Sequence, residues 1–184
     1  LERGLENCYL LTNGLGGFSS LTMTGAVARN DHSVFMACTK APNHRINMIH
    51  RMKEELDIGE SKYVLSTQEF ADGTKEEGYR YLTEFSFETF PSWRYLINGV
   101  EIEKEIVMAQ GSNQIAVNYH LKNRGQKEAT LCVTPFFQFE PKGEDLKAGK
   151  IFSRQEQKIT DGKYALFFET NGEAEGFTEK KETY

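Results

Sequence analysis

The stretch Tyr95-Leu96-Ile97-Asn98-Gly99-Val100-Glu101-Ile102-Glu103-Lys104-Glu105-Ile106-Val107-Met108 decides the fold. Asn98-Gly99 is the dipeptide that tolerates the positive φ angles of a type I′ turn, so the residues on either side are expected to pair as a hairpin. Beyond the turn, Val100, Ile102, Ile106 and Met108 alternate with Glu101, Glu103 and Glu105. That two-residue period marks a strand with one buried and one solvated face. Only Lys104 interrupts the apolar series.

The pattern extends in both directions. Ile115, Val117, Tyr119 and Leu121 share one face, with Ala116, Asn118 and His120 on the other. Turn signals recur at Asp72-Gly73, Gln110 to Asn113, Asn123 to Gly125, Asp161-Gly162 and Asn171-Gly172. Between them, Leu131 to Phe139 and Lys163 to Thr170 are short and rich in Phe, Val or Tyr. Pro135 cannot donate a ladder hydrogen bond, which suggests an edge position or a bulge for the first of these. Ile46 to Leu56 fits two periods: Ile49, Met52 and Leu56 have helical spacing, while Ile46, Met48 and Met52 share a strand face. Its β surroundings favour a strand. Lys142 to Lys150, with Gly143 and Gly149, reads as a polar loop. Strands at this spacing, with no helical pattern between them, predict an all-β, antiparallel β-sandwich. No internal repeat or low-complexity tract divides the chain, so residues 1–184 read as one domain.

Composition narrows the class. A chain of 184 residues with 39% hydrophobic and 12% aromatic side chains has the means to build a core. No stretch reaches the roughly 18 apolar residues of a membrane helix, so no membrane partner is expected. The net charge of −5, with neither sign gathered into a block, argues against nucleic acid. Cys8, Cys38 and Cys132 are scattered, with no CxxC pair, and suggest neither a disulfide framework nor a zinc site. A reducing cytoplasm is the expected location. The opening LERGLENC lacks the basic start and apolar run of a signal peptide, and the closing Glu179 to Tyr184 carries no domain-ending signal. The chain is read as cut from something longer.

Few constellations point to chemistry. Gly14-Leu15-Gly16-Gly17 lacks both the P-loop ending and the dinucleotide spacing; it reads as a tight turn where backbones approach closely, or a loop shaped to meet another domain or a sugar. Arg29, Asp31 and His32 are candidate contacts for substrate or for a neighbouring domain, since Arg and Asp can bracket sugar hydroxyls. The competing reading is an internal salt bridge. The four histidines form no metal-binding pattern, no metal or cofactor is expected, and no catalytic residue is assigned. Glycoside hydrolysis needs two carboxyl groups in unlike environments, but the Glu101, Glu103, Glu105 series reads as a solvated face. Glu140, Glu144 and Asp145 lie in or beside the polar loop. Trp93, the only tryptophan, suits core or interdomain packing, or a platform for a sugar ring.

Several segments in order carry a family resemblance: Thr12 to Gly25 (TNGLGGFSSLTMTG), Leu65 to Gly73 (LSTQEFADG), Gly78 to Leu82 (GYRYL), Phe90 to Tyr95 (FPSWRY), Glu103 to Ile106 and Thr134 to Phe137. Their succession resembles the N-terminal domain of bacterial and archaeal glycogen debranching enzymes, the amylo-α-1,6-glucosidases, over nearly the whole chain. Where such proteins commonly read TRRYHG, this chain has Ala28 to Ser33 and matches only an Arg and the His. The resemblance implies a galactose-mutarotase-like supersandwich preceding an (α/α)6 catalytic toroid that these residues do not include. It also implies an accessory role: the domain would pack on that toroid and help shape a cleft for glycogen and related α-glucans. A self-sufficient carbohydrate-binding module, or a purely structural domain of another glucoamylase-like hydrolase, are the alternatives.

Overall fold

The computed structural model describes residues 2–172. The closing Glu179 to Tyr184, and what they were read to imply, lie outside the described residues. After a short helix, α1 (Glu2–Glu6), the chain forms β1 (Leu11–Thr12), β2 (Phe18–Ser20), β3 (Ser33–Lys40), β4 (His44–Ile58), β5 (Ser61–Val64), β6 (Thr67–Glu69) and β7 (Lys75–Glu77). A 3-10 turn, Gly78–Arg80, leads to β8 (Leu82–Phe87), β9 (Pro91–Ile97), β10 (Val100–Met108), β11 (Ile115–Asn123) and β12 (Ala129–Pro141). The short β13 (Ser153–Gln155), β14 (Lys158–Thr160) and β15 (Ala165–Phe167) follow.

Two large sheets carry the architecture. One has the order β1-β2-β3-β4-β12, with β5 also paired to β4; the other has the order β11-β10-β9-β8. β13 to β15 form a small meander and β6-β7 a hairpin. Pairing is antiparallel throughout the large sheets, and the all-β expectation holds. Ile46, Leu56 and Ile58 of β4 join Trp93, Tyr95, Ile102 and Ile106 of the second sheet in one contiguous apolar cluster.

The hairpin that decided the reading is present. Asn98 has φ 47° and Gly99 φ 82°, and Val100 faces Ile97 across the turn. Along β10 the even positions from Val100 to Met108 are buried and the odd ones half-buried. Ile46 to Leu56 lies wholly within β4, a strand of 15 residues. Its length reflects double use: β12 pairs along it from Ile58 to Ile46, while β3 and β5 share its other edge. Pro135 sits on β12, at the end of the sheet order, and so holds an edge position. Register shifts flank Phe137, and Phe139 has φ 54°. Gln138, Phe139 and Glu140, within this irregular stretch, are all buried.

Lys104, the residue that broke the apolar series, is 5% exposed on the core face. Its Nζ donates to Glu54 Oε1 of the opposite sheet at 2.5 Å and lies 5.2 Å from the Trp93 ring centroid. The Tyr119 hydroxyl donates to the same carboxylate oxygen at 2.8 Å. Burial, and secondarily the Glu54 charge, push the Tyr95 and Tyr119 phenols well above their ordinary range, so both stay protonated. A buried charge stripped of its partner is costly, so Lys104→Met alone should destabilise the fold by about 3–5 kcal/mol in urea titrations. The double variant Lys104→Met with Glu54→Leu should recover much of that loss; equal losses in single and double variants would show that the pair is not the source.

Candidate functional site

The glycine-rich turn is fixed from below by one side chain. Asn13 is fully buried; its Oδ1 accepts from the backbone N–H of Leu15 at 3.0 Å and of Gly17 at 2.9 Å. Its Nδ2 donates to Ser112 O at 2.9 Å and to Asn113 Oδ1 at 3.2 Å, in the turn between β10 and β11. Asn113 in turn exchanges two bonds with the Cys38 backbone near the end of β3, at 3.0 and 2.8 Å. The two large sheets are thus tied together at this end by asparagine amides.

Glycine is required here by space. A Cβ on Gly16, where φ is +99°, would lie 2.6 Å from the Pro42 carbonyl oxygen, and one on Gly17 would lie 2.6 Å from Asn13 Nδ2. The reading of a tight turn with close backbone approach therefore holds.

Beside this turn, a groove of about 450 Å³ opens on the face of the sheet opposite the core. The register sets Thr12 against Phe18 and Leu11 against Ser19. Leu10, Thr12, Phe18 and Ser20 therefore floor the groove while Tyr9 and Leu11 point inward. Arg29, Asp31, Arg45 and Lys142 supply its charged lining. Arg45 Nε donates to Gly16 O at 2.6 Å, so this wall is fastened to the turn. Arg45 and Lys142 both approach the Phe18 ring, at 6.0 and 5.9 Å from its centroid. Lys142 Nζ lies 3.4 Å from Asp31 Oδ2, a half-exposed pair.

The sequence candidates separate in space. Arg29 and Asp31 reach the groove; His32 turns away and is buried, its Nδ1 accepting from the Ala28 N–H at 3.0 Å. Trp93 is fully buried, donates Nε1–H to Met23 O at 2.9 Å, and has Tyr9 and Phe85 against its ring at 5.5 and 5.3 Å. It leaves no face for a sugar to stack on, because β9 directs it into the sandwich. Arg45 and Lys142 were missed; they lie 16 and 113 positions from Arg29, and the pairing of β2, β3, β4 and β12 assembles them.

The second cavity, about 330 Å³, adjoins Glu140 and Asp161. Lys150 Nζ holds both carboxylates, at 3.0 Å each, and also donates to Phe139 O. Burial alone would raise the Asp161 pKa, but hydrogen bonds from the Tyr164 N–H, Lys150 and the Lys163 N–H hold it below the usual carboxylate range. A glycosidic general acid needs the opposite shift. This clamp pins the Lys142 to Lys150 loop against the β14–β15 turn and is structural. No group of three or more His, Cys, Asp or Glu able to hold a metal occurs among the described residues.

Burial, opposed by Asp31 and reinforced by Arg29, lowers the His32 pKa below its usual 6.5. Above that value folded and unfolded chains both carry neutral imidazole. As pH falls below it the unfolded chain binds the proton first, so stability declines until the folded pKa is passed. His32→Gln should flatten the change in urea midpoint between pH 7 and pH 5. Separately, Asn13→Ala should cost about 2–4 kcal/mol in the same titration, since several buried donors and acceptors lose partners worth about 1 kcal/mol each.

No curated protein and no solved structure matches the chain. One family does, described as glycogen debranching enzyme N terminal, over residues 7–184. The ordered motifs, the all-β sandwich and this match agree: the chain belongs to the glycogen debranching enzyme N-terminal family.

Proposed function

We propose that this chain is a single accessory β-sandwich domain of a cytoplasmic debranching enzyme that hydrolyses α-1,6 branch linkages of glycogen. In this reading it has no catalysis of its own; it packs on the catalytic toroid of the same protein and helps shape the glucan cleft. The observation that carries the reading is the rigid turn at Gly14 to Gly17 beside an open groove. Asn13 and Asn113 tie that turn to both sheets, so its outward face is held in one shape before any contact is made. Preorganised surfaces of this kind bind without an ordering cost. The Lys150 clamp supports the accessory role, because it engages both buried carboxylates beside the second cavity and keeps Asp161 ionised.

Arg29 and Asp31 line the groove at which this domain meets its neighbour; His32 and Trp93 hold the scaffold behind it. The full-length protein should release glucose from glycogen trimmed to its branch points, while the 184-residue chain alone should release none. Titration of that chain with maltoheptaose to millimolar concentration, followed calorimetrically, should give no binding heat. Glucose release by the chain alone would overturn the accessory reading, and saturable binding would favour a self-sufficient carbohydrate-binding module.

A further inference from the structure

The groove beside the glycine-rich turn has a charge that sets it apart from the rest of the chain. The chain carries a net charge of −5, yet Arg29, Arg45 and Lys142 meet a single carboxylate, Asp31, in this groove. Arg45 and Lys142 are drawn to one aromatic ring, Phe18, and the backbone N–H of Lys142 donates to Arg45 O at 3.0 Å, so the two cations cannot separate freely. Asp31, paired with Lys142 at 3.4 Å, offsets only part of this local positive charge. Leu10, 58% exposed, stands on the same floor, and Leu15, 36% exposed, on the adjoining turn.

A site with excess positive charge beside exposed aliphatic side chains selects a protein segment that presents a carboxylate next to apolar residues. We infer that this groove receives an acidic, apolar-flanked segment of the catalytic domain in the same polypeptide, its carboxylate seated between Arg45 and Lys142. The inference rests on the accessory-domain reading and adds the place and chemistry of the contact. The arginine supplies a planar fork for the carboxylate, and the lysine a point charge that exchanges its Asp31 contact for the incoming one. Leu10 and Leu15 then lose their water. Because Asp31 competes for Lys142, removing it should strengthen the contact.

Zero-length carbodiimide coupling of the full-length protein tests this, since it joins an amine to a carboxylate only where the two touch. Peptide mass spectrometry should find Lys142 joined to an Asp or Glu that follows residue 184. Asp31→Asn should raise the yield of that link about two-fold or more, and Arg45→Gln should lower it several-fold. Coupling of Lys142 to Asp31 alone, no coupling at Lys142, or links found only between isotopically distinct copies would each overturn the inference. Failure of the debranching assay with the link intact would strike the proposed activity and leave the docking site standing.

Discussion

The fold turns on an ion pair between its sheets. Glu54 comes from the middle of the longest strand and Lys104 from the strand that follows the Asn98-Gly99 hairpin, and they meet where both sheets are otherwise apolar. A lone charge at either position would be intolerable in that setting, whereas the pair, capped by the Tyr119 hydroxyl and laid on the Trp93 ring, is satisfied. The pair is also demanding about geometry. A one-residue slip of β10 against β9 would send Lys104 to the solvent face and leave Glu54 unanswered, so it fixes register where hydrophobic contacts alone would tolerate drift.

The same logic of buried polar groups with named partners recurs around the core. Asn13 and Asn113 bind the sheets at one end. Gln68 exchanges two hydrogen bonds with the Val27 backbone, at 3.0 and 2.9 Å, and ties the β6-β7 hairpin to the segment between β2 and β3. Arg51, 2% exposed, reaches Glu76 of that hairpin at 2.8 Å and stacks near Phe70 and Phe136. Gly78 makes this packing feasible, since a Cβ there would lie 1.7 Å from the Leu65 carbonyl oxygen. The outer layer is therefore fastened by hydrogen bonds and charge, while between the sheets apolar contact surrounds the Glu54–Lys104 pair.

Much of the fold was legible because strand period and turn chemistry are local. The Asn98-Gly99 hairpin, the strand at Ile46 to Leu56 and the edge position of Pro135 all follow from residues close in sequence. Lys104 could only be read as an interruption, since its partner lies 50 positions away on another sheet. Trp93 was undecidable for a different reason: a large aromatic serves a core and a sugar platform equally well, and the choice is made by which side of β9 faces the sandwich. Arg29, Asp31 and His32 looked like one cluster. The turn at 29–32 divides them, sending the imidazole inward and the two charges out. The groove itself was invisible, because Arg45 and Lys142 come from segments nearly 100 residues apart.

The three thiols occupy unlike surroundings. Cys38 is buried close under the glycine turn, where a Cβ on Gly16 would come within 3.3 Å of its sulfur, and Cys132 is half-buried on the edge strand. Cys8 is exposed and borders the cationic groove. Alkylating reagents will therefore discriminate among them by access, and Cys8 offers a native attachment point for a fluorophore or spin label at the rim of the surface where a neighbour would settle.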